Sequence, residues 1–156
     1  MKKFWNLYKI IILIILTGLI LGLVGIRLVN KEIKREGEQL GVGEAVIWVE
    51  VRETKEERQQ GLSGRGKLEA DEGMLFVFEE LGKYGFWMKE MKFDLDFVWI
   101  KGEKVVEITE GVKAPERGKE PLTVRPKVLV DKVLEVNVGW VKENEVRVGD
   151  MVSFRN

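Results

Sequence analysis

Between Lys9 and Arg27 lie seventeen consecutive residues, IIILIILTGLILGLVGI, whose only polar member is Thr17. A run this apolar must leave water, so it constrains the fold more than any other stretch of the chain. As a helix it would span roughly 25 Å at about 1.5 Å per residue, slightly less than the ~30 Å hydrocarbon core of a bilayer. Leu7, Leu28 and Val29 lengthen it, while Lys9 and Arg27 can snorkel toward the headgroups. Trp5 and Tyr8 fall where an interfacial aromatic belt is expected. A cleaved signal peptide would have a core of about 7–15 residues and a small-x-small cleavage site. Here the run is followed by RLVNKEIKRE instead. The expectation is an uncleaved, single-pass transmembrane anchor over residues 1–29. Lysine and arginine flank both ends, so the positive-inside rule does not fix its orientation. A lone anchor this near the start acts most often as an export signal, which places the rest of the chain outside the cytoplasm. Gly18 and Gly22 give the GxxxG spacing through which two anchors could pair into a dimer.

Setting that segment apart changes the charge. The whole chain carries 26 basic and 26 acidic residues, but residues 31–156 carry 22 and 26, a net charge of −4. Phosphate binding needs a basic excess or a basic stripe, so nucleic acid is not an expected partner. The chain also lacks histidine and cysteine. That excludes disulfides, thiolate nucleophiles, imidazole bases and the usual protein-made zinc, copper or haem sites. Oxygen-ligated cations remain, with Asp94, Asp96 and Glu135 as the acids to consider for Ca²⁺. No D-x-D-x-D-G loop accompanies them, so neither a metal nor another cofactor is expected.

Residues 30–44, NKEIKREGEQLGVGE, hold three glycines and alternating charge without a sustained apolar stripe, which reads as a linker. A β-rich domain is expected over 45–156. In AVIWVEVR, Ile47, Val49 and Val51 alternate with Trp48, Glu50 and Arg52, a strand signature. Thr54 and Glu57 form a capping box for a short helix that Gly61 stops. MLFVFE, FWMK and LDFVWIK are rich in aromatic and β-branched residues and predict strands. Lys101–Lys104 makes a hairpin turn into VVEITEGV, and residues 113–127, with all three prolines, form an irregular excursion. KVLVDKVLEVNV returns to strand, GWVKENE offers a single helical turn, and VRVGDMVSF closes with a turn and a last strand. Short strands at close spacing with one or two short helices predict a compact β-sandwich or barrel-like domain.

The stretches QQGLSGRGKLEADEGMLFVF, GFWMKEMKFDLDFVWI and KVLEVNVGWVKENEVRVGD follow one another in that order. In them the sequence resembles the bacterial and archaeal family called domain of unknown function 192, over roughly residues 45–154. The resemblance implies a compact, mainly β fold, an export signal in many members and no established biochemical activity. The family often reads Phe-Trp-Met-Lys-Asn where this chain has Glu90. It also often has a proline in the stretch occupied here by Phe93 and Asp94. A shared site is accordingly expected only at Arg65, Trp87, Lys89 and Asp96, where the pattern is kept.

Strand parity gives the same residues a physical reading. In FDLDFVWI, Asp94, Asp96, Val98 and Ile100 share one face of a strand that is apolar on both sides from Phe97 onward. Asp96 is thereby carried inward, where a carboxylate needs a partner; Lys89 and Arg65 are the expected ones. The bland outcome is a structural ion pair or a turn-capping carboxylate. The functional one is a pocket for a small polar ligand, held by Arg65 and Lys89 with Trp87, which parity sets beside Lys89 rather than with Phe86 and Met88, as a stacking wall. No catalytic motif is recognisable, and the chain is read as a binding module for a small ligand or an envelope partner. The alternatives are a hydrolase or lyase using Asp96 or Asp94 with Lys89, and a scaffold for another membrane protein.

Overall fold

The structure, a computed structural model, describes residues 15–18, 37–116 and 118–155. Residues 15–18 are helical; the rest of the expected anchor lies outside the described residues. Among the described residues no helix is long and apolar enough to cross a membrane. The chain divides between Arg35 and Glu36 into two units.

The second unit is mainly β. Among its described residues nine strands run in chain order: β1 (Glu38–Val42), β2 (Ala45–Arg52), β3 (Glu72–Gly82), β4 (Phe86–Trp87), β5 (Leu95–Lys101), β6 (Lys104–Val112), β7 (Thr123–Val124), β8 (Val130–Asn137) and β9 (Val152–Arg155). Two short helices join them, α1 (Lys55–Gln60) and α2 (Trp140–Glu143). Seven strands form one sheet in the order β6-β5-β8-β3-β2-β1-β9, and β4 pairs with β7 in a separate ribbon. All neighbours in the large sheet are antiparallel except β2 and β3, which α1 connects. The sheet curls until its two edges meet at one end. There Lys104 bridges Met151, and Val105 N–H donates to Asp150 O at 2.9 Å. This is a partly closed barrel.

The expected linker at 30–44 is corrected by β1. Glu38–Val42 pairs with both β2 and β9, and Leu40 and Val42 are buried in the barrel interior. Gly37, Gly41 and Gly43 conceal the alternation, yet each stands where a Cβ would collide with a neighbouring segment. Gly41 leaves room for the Arg155 side chain, and Gly43, at φ 58°, makes the tight turn into β2. The irregular excursion likewise contains a strand, β7, too short to show a period.

Alternation along the strands builds two apolar layers. Ile47, Val49, Leu75, Val98, Ile100, Leu134 and Val136 fill the inside of the curl, where Trp140 and Val141 of α2 close over them. Met74, Phe76, Phe97, Trp99 and Val133 face outward and are covered by Leu62, Leu68, Phe86, Met88 and Met91. β5 is thus buried on both faces. α1 starts with the expected capping box: Glu57 N–H donates to the Thr54 hydroxyl, and Thr54 N–H donates to the Glu57 carboxylate at 3.0 Å.

Candidate functional site

The outer layer is not completely filled. Between α1 and the segment Tyr84–Met91 lies a cleft of about 530 Å³, within the usual range for small-molecule sites. Phe76 and Phe78 of β3 and Leu95 of β5 form its floor, and Tyr84, Phe86, Trp87 and Met88 form one wall. The rings pack on one another: Phe78 stacks on Tyr84, and Phe76 meets Phe86 edge-on at 4.9 Å. The two walls are tied together by backbone. Gly64 N–H donates to Glu90 O at 3.2 Å, and the Ser63 hydroxyl donates to Lys89 O at 3.1 Å. Arg58 of α1 lies over the Phe78 ring at 4.8 Å and donates to Val77 O at 2.8 Å and to Glu53 O.

Into this apolar cleft β8 delivers one carboxyl. Glu135 pairs in register with Met74 on one side and Phe97 on the other, so its side chain shares the outer face with both. It is 7% exposed, lines the cleft and has no hydrogen-bond or ion-pair partner among the described residues. Burial alone raises its pKa to about 8, since removal from water penalises the charged form and nothing compensates. At neutral pH the group is mostly an uncharged acid, able to donate as well as accept.

The four expected site residues do not share one pocket. Trp87 and Lys89 both line the cleft. Trp87 is 55% exposed between buried Phe86 and Met88, as the parity of FWMK predicts, and Lys89 Nζ sits 5.2 Å from the centre of its ring. Arg65 lies outside the cleft lining and grips Glu50 with both terminal nitrogens, at 2.5 and 2.7 Å. Those bonds hold the Glu50 carboxyl below its usual range against the opposing effect of partial burial. Arg52 adds a third contact to the same carboxylate at 2.6 Å.

Asp96 is fully buried on the opposite face of the sheet, beside Val98 and Ile100. Neither Lys89 nor Arg65 reaches it. Its oxygens accept backbone N–H groups instead: Gly111 and Gly139 at 2.8 Å each, and Val141 at 3.4 Å. Of the outcomes expected for Asp96 this is the turn-capping one. Asp94, just before β5, is held by Lys113 at 2.7 Å and Ala114 N–H at 2.9 Å, and the Lys113 bond first, then that of Ala114, lowers its pKa. The two aspartates therefore serve separate donors, and Glu135 stands across the sheet from Asp96, so the three acids do not converge. Parity does not mark Glu135 for the cleft: its face of VDKVLEVN reads Asp131, Val133, Glu135 and Asn137, the pattern of a solvated face, and its burial comes from what the fold lays over it.

Comparison with known proteins agrees with this architecture. The family model of DUF192, described as "Uncharacterized ACR", matches residues 38–154. A "putative transcription regulator" from Sinorhizobium meliloti is similar in structure, with a TM-score of 0.68 and 29% identity, over 79% of this chain and 97% of that one. A protein of unknown function from Novosphingobium aromaticivorans has a TM-score of 0.67 and 23% identity, over 74% of this chain and 83% of that one. The second likeness concerns the fold alone. Curated proteins give no match.

Proposed function

The chain belongs to the DUF192 family of uncharacterised proteins, and on that premise we propose that it is a binding module that takes up a small ligand in the cleft between α1 and Tyr84–Met91. The observation that carries the reading is Glu135. A carboxyl buried among Met74, Phe76 and Phe97 without a partner destabilises the fold, and an apolar side chain would pack there at lower cost. A ligand that bonds to it supplies the missing partner. Trp87 and Lys89 stand at the mouth of the same cleft, in keeping with the stacking and charge roles expected of them. Arg65 and Asp96 act at a distance in this reading, Arg65 by fixing the Leu62–Leu68 loop to β2 through Glu50.

The anchor over residues 1–29 would hold this module on the outer side of the membrane, since the apolar run from Ile10 to Ile26 has no other evident use. An envelope protein as partner, or anchor pairing through Gly18 and Gly22, would add to that tethering. Transcription regulation is not carried over from the Sinorhizobium meliloti protein, because residues 31–156 carry a net charge of −4.

Nuclear magnetic resonance of the full chain in lipid nanodiscs, screened against sugars, nucleotides, peptidoglycan fragments, amino acids and aromatic acids, tests the binding reading. Shifts confined to Phe78, Trp87 and the strand around Glu135 are expected, and a screen that leaves those resonances unmoved would defeat it. Protease protection in sealed vesicles tests the orientation: an outward domain resists protease added to the cytoplasmic side.

A further inference from the structure

Given that the cleft binds a ligand, three features of its walls select a chemical class. The body of the cavity is aromatic and apolar, built from Phe76, Phe78, Phe86 and Leu95. The charged side chains lining it besides Glu135 are all cations: Lys55 and Arg58 from α1, and Lys89 from the opposite wall. Among the described residues Lys55 and Arg58 form no ion pair, and Lys89 has only a loose one with exposed Glu90 at 3.8 Å. Glu135, nine-tenths buried and unpartnered, provides the one polar group deep in the cavity.

We infer that the cleft holds a small organic anion with an aromatic or alkyl body, its charged end among Lys55, Arg58 and Lys89 and a carbonyl at its far end bonded to the Glu135 carboxyl. The inference rests on the cleft being a binding site and adds what binds there. An organic cation fits less well. The ring faces of Phe78 and Trp87 that would attract it are already covered by Arg58 and Lys89.

The arrangement makes binding depend on pH with a definite sign. The titratable groups that line the cleft with Glu135 are Lys55 and Arg58 from α1 and Tyr84 and Lys89 from the far wall, while β3 and β5 present apolar side chains, Met74, Phe76, Phe78, Leu95 and Phe97. None of these cations touches the carboxyl, whose pKa of about 8 makes it neutral below that pH. Neutral Glu135 donates to a carbonyl, which its carboxylate cannot do. Above that pH a bare carboxylate would stand in an apolar cavity together with an anion, and affinity falls.

Calorimetric titration of the full chain in nanodiscs tests this with three probes: 4-acetylbenzoate, its apolar analogue 4-isopropylbenzoate, and benzyltrimethylammonium. Measurements at about pH 6.5 and about pH 9.5 straddle the Glu135 transition. The acetyl probe should bind about tenfold more tightly than the isopropyl one at the lower pH, the effect of one added hydrogen bond donated by neutral Glu135. That advantage should vanish at the higher pH. In Glu135→Gln, which keeps the hydrogen bonding and removes the titration, it should be the same at both. Lys89→Gln, at an exposed position that leaves the fold intact, should weaken both benzoates about equally at either pH. Tighter binding of the ammonium probe with rising pH, or a pH dependence that survives in Glu135→Gln, overturns the inference. Binding of none of the three also overturns it, while the broader binding reading is then still decided by the resonance screen.

Discussion

Two buried acids on neighbouring strands of one sheet meet opposite fates. Asp96 of β5 pairs in register with Val136, and Phe97 with Glu135, so a one-residue offset turns Asp96 into the curl and Glu135 out of it. Inside, three backbone N–H groups from two turns converge on Asp96. Outside, nothing among the described residues meets Glu135, and a cleft opens over it. The inner carboxylate is part of the architecture: it ties the end of β6 and the start of α2 to the central strand. The outer one works against folding. The domain satisfies one buried acid completely and leaves its neighbour bare, and the proposed ligand is what would give the second a partner.

The difference can be broken or sharpened by substitution. The largest effect is expected at Asp96→Ala, which leaves the Gly111, Gly139 and Val141 N–H groups without an acceptor. A loss of about 4 kcal/mol follows from the worth of charge-assisted bonds and the cost of orphaned donors. Urea denaturation measures it, and a loss below about 1 kcal/mol would mean that water replaces the carboxylate freely.

The next effect is on pH dependence at Glu135. Its folded pKa, about 8, lies above the ordinary 4.5, so the folded state binds the extra proton. The associated stability is complete below about pH 4.5 and is lost as pH rises through 8. A full shift would be worth more, but water reaching the cleft screens the charge, and a decline of about 3 kcal/mol is the expected scale. Glu135→Gln should abolish that decline, and Glu135→Met should stabilise the domain at high pH while removing the proposed ligand contact. Melting temperatures recorded across the range decide it: a wild-type curve that stays flat from pH 5 to about 9 would show that Glu135 finds a partner.

Smaller effects separate the surroundings of the cleft from its chemistry. Arg65→Lys replaces a two-pronged grip on Glu50 with a single one at a site about one-third exposed, and should cost about 1 kcal/mol in denaturant unfolding. Because Arg65 lies outside the cleft lining, ligand affinity should change less than stability. Glu90 has φ 59°, a conformation in which asparagine is far more at home than glutamate. The family's frequent asparagine here thus has a backbone explanation, and Glu90→Asn should raise stability by about 0.5 kcal/mol. A destabilised Glu90→Asn would instead assign the glutamate side chain a role of its own.

Much of this domain is legible in its sequence. The alternation in AVIWVEVR, the apolar run in LDFVWIK and the Thr54–Glu57 capping box each record a local requirement, and each appears at the expected place. Parity correctly sets exposed Trp87 between buried Phe86 and Met88. β1 is the instructive loss. Its glycines suggest a linker, but they are there because Arg155 crosses one of them and the turn into β2 requires another. Close approach between distant segments leaves no periodic trace.

The site divides along the same line. Sequence alone determined that histidine and cysteine chemistry is absent, that Asp96 must be carried inward and that Trp87 and Lys89 lie together. It could not determine what Asp96 would meet, because Gly111, Gly139 and Val141 reach it only when the sheet curls and α2 folds over its end. Nor could it tell that Arg65 would choose Glu50. Least of all could it show that Glu135 has no partner. Which side of a strand a residue faces is fixed by neighbours one and two positions away. Whether anything waits for it there depends on residues up to several dozen positions away, and only the tertiary structure decides that.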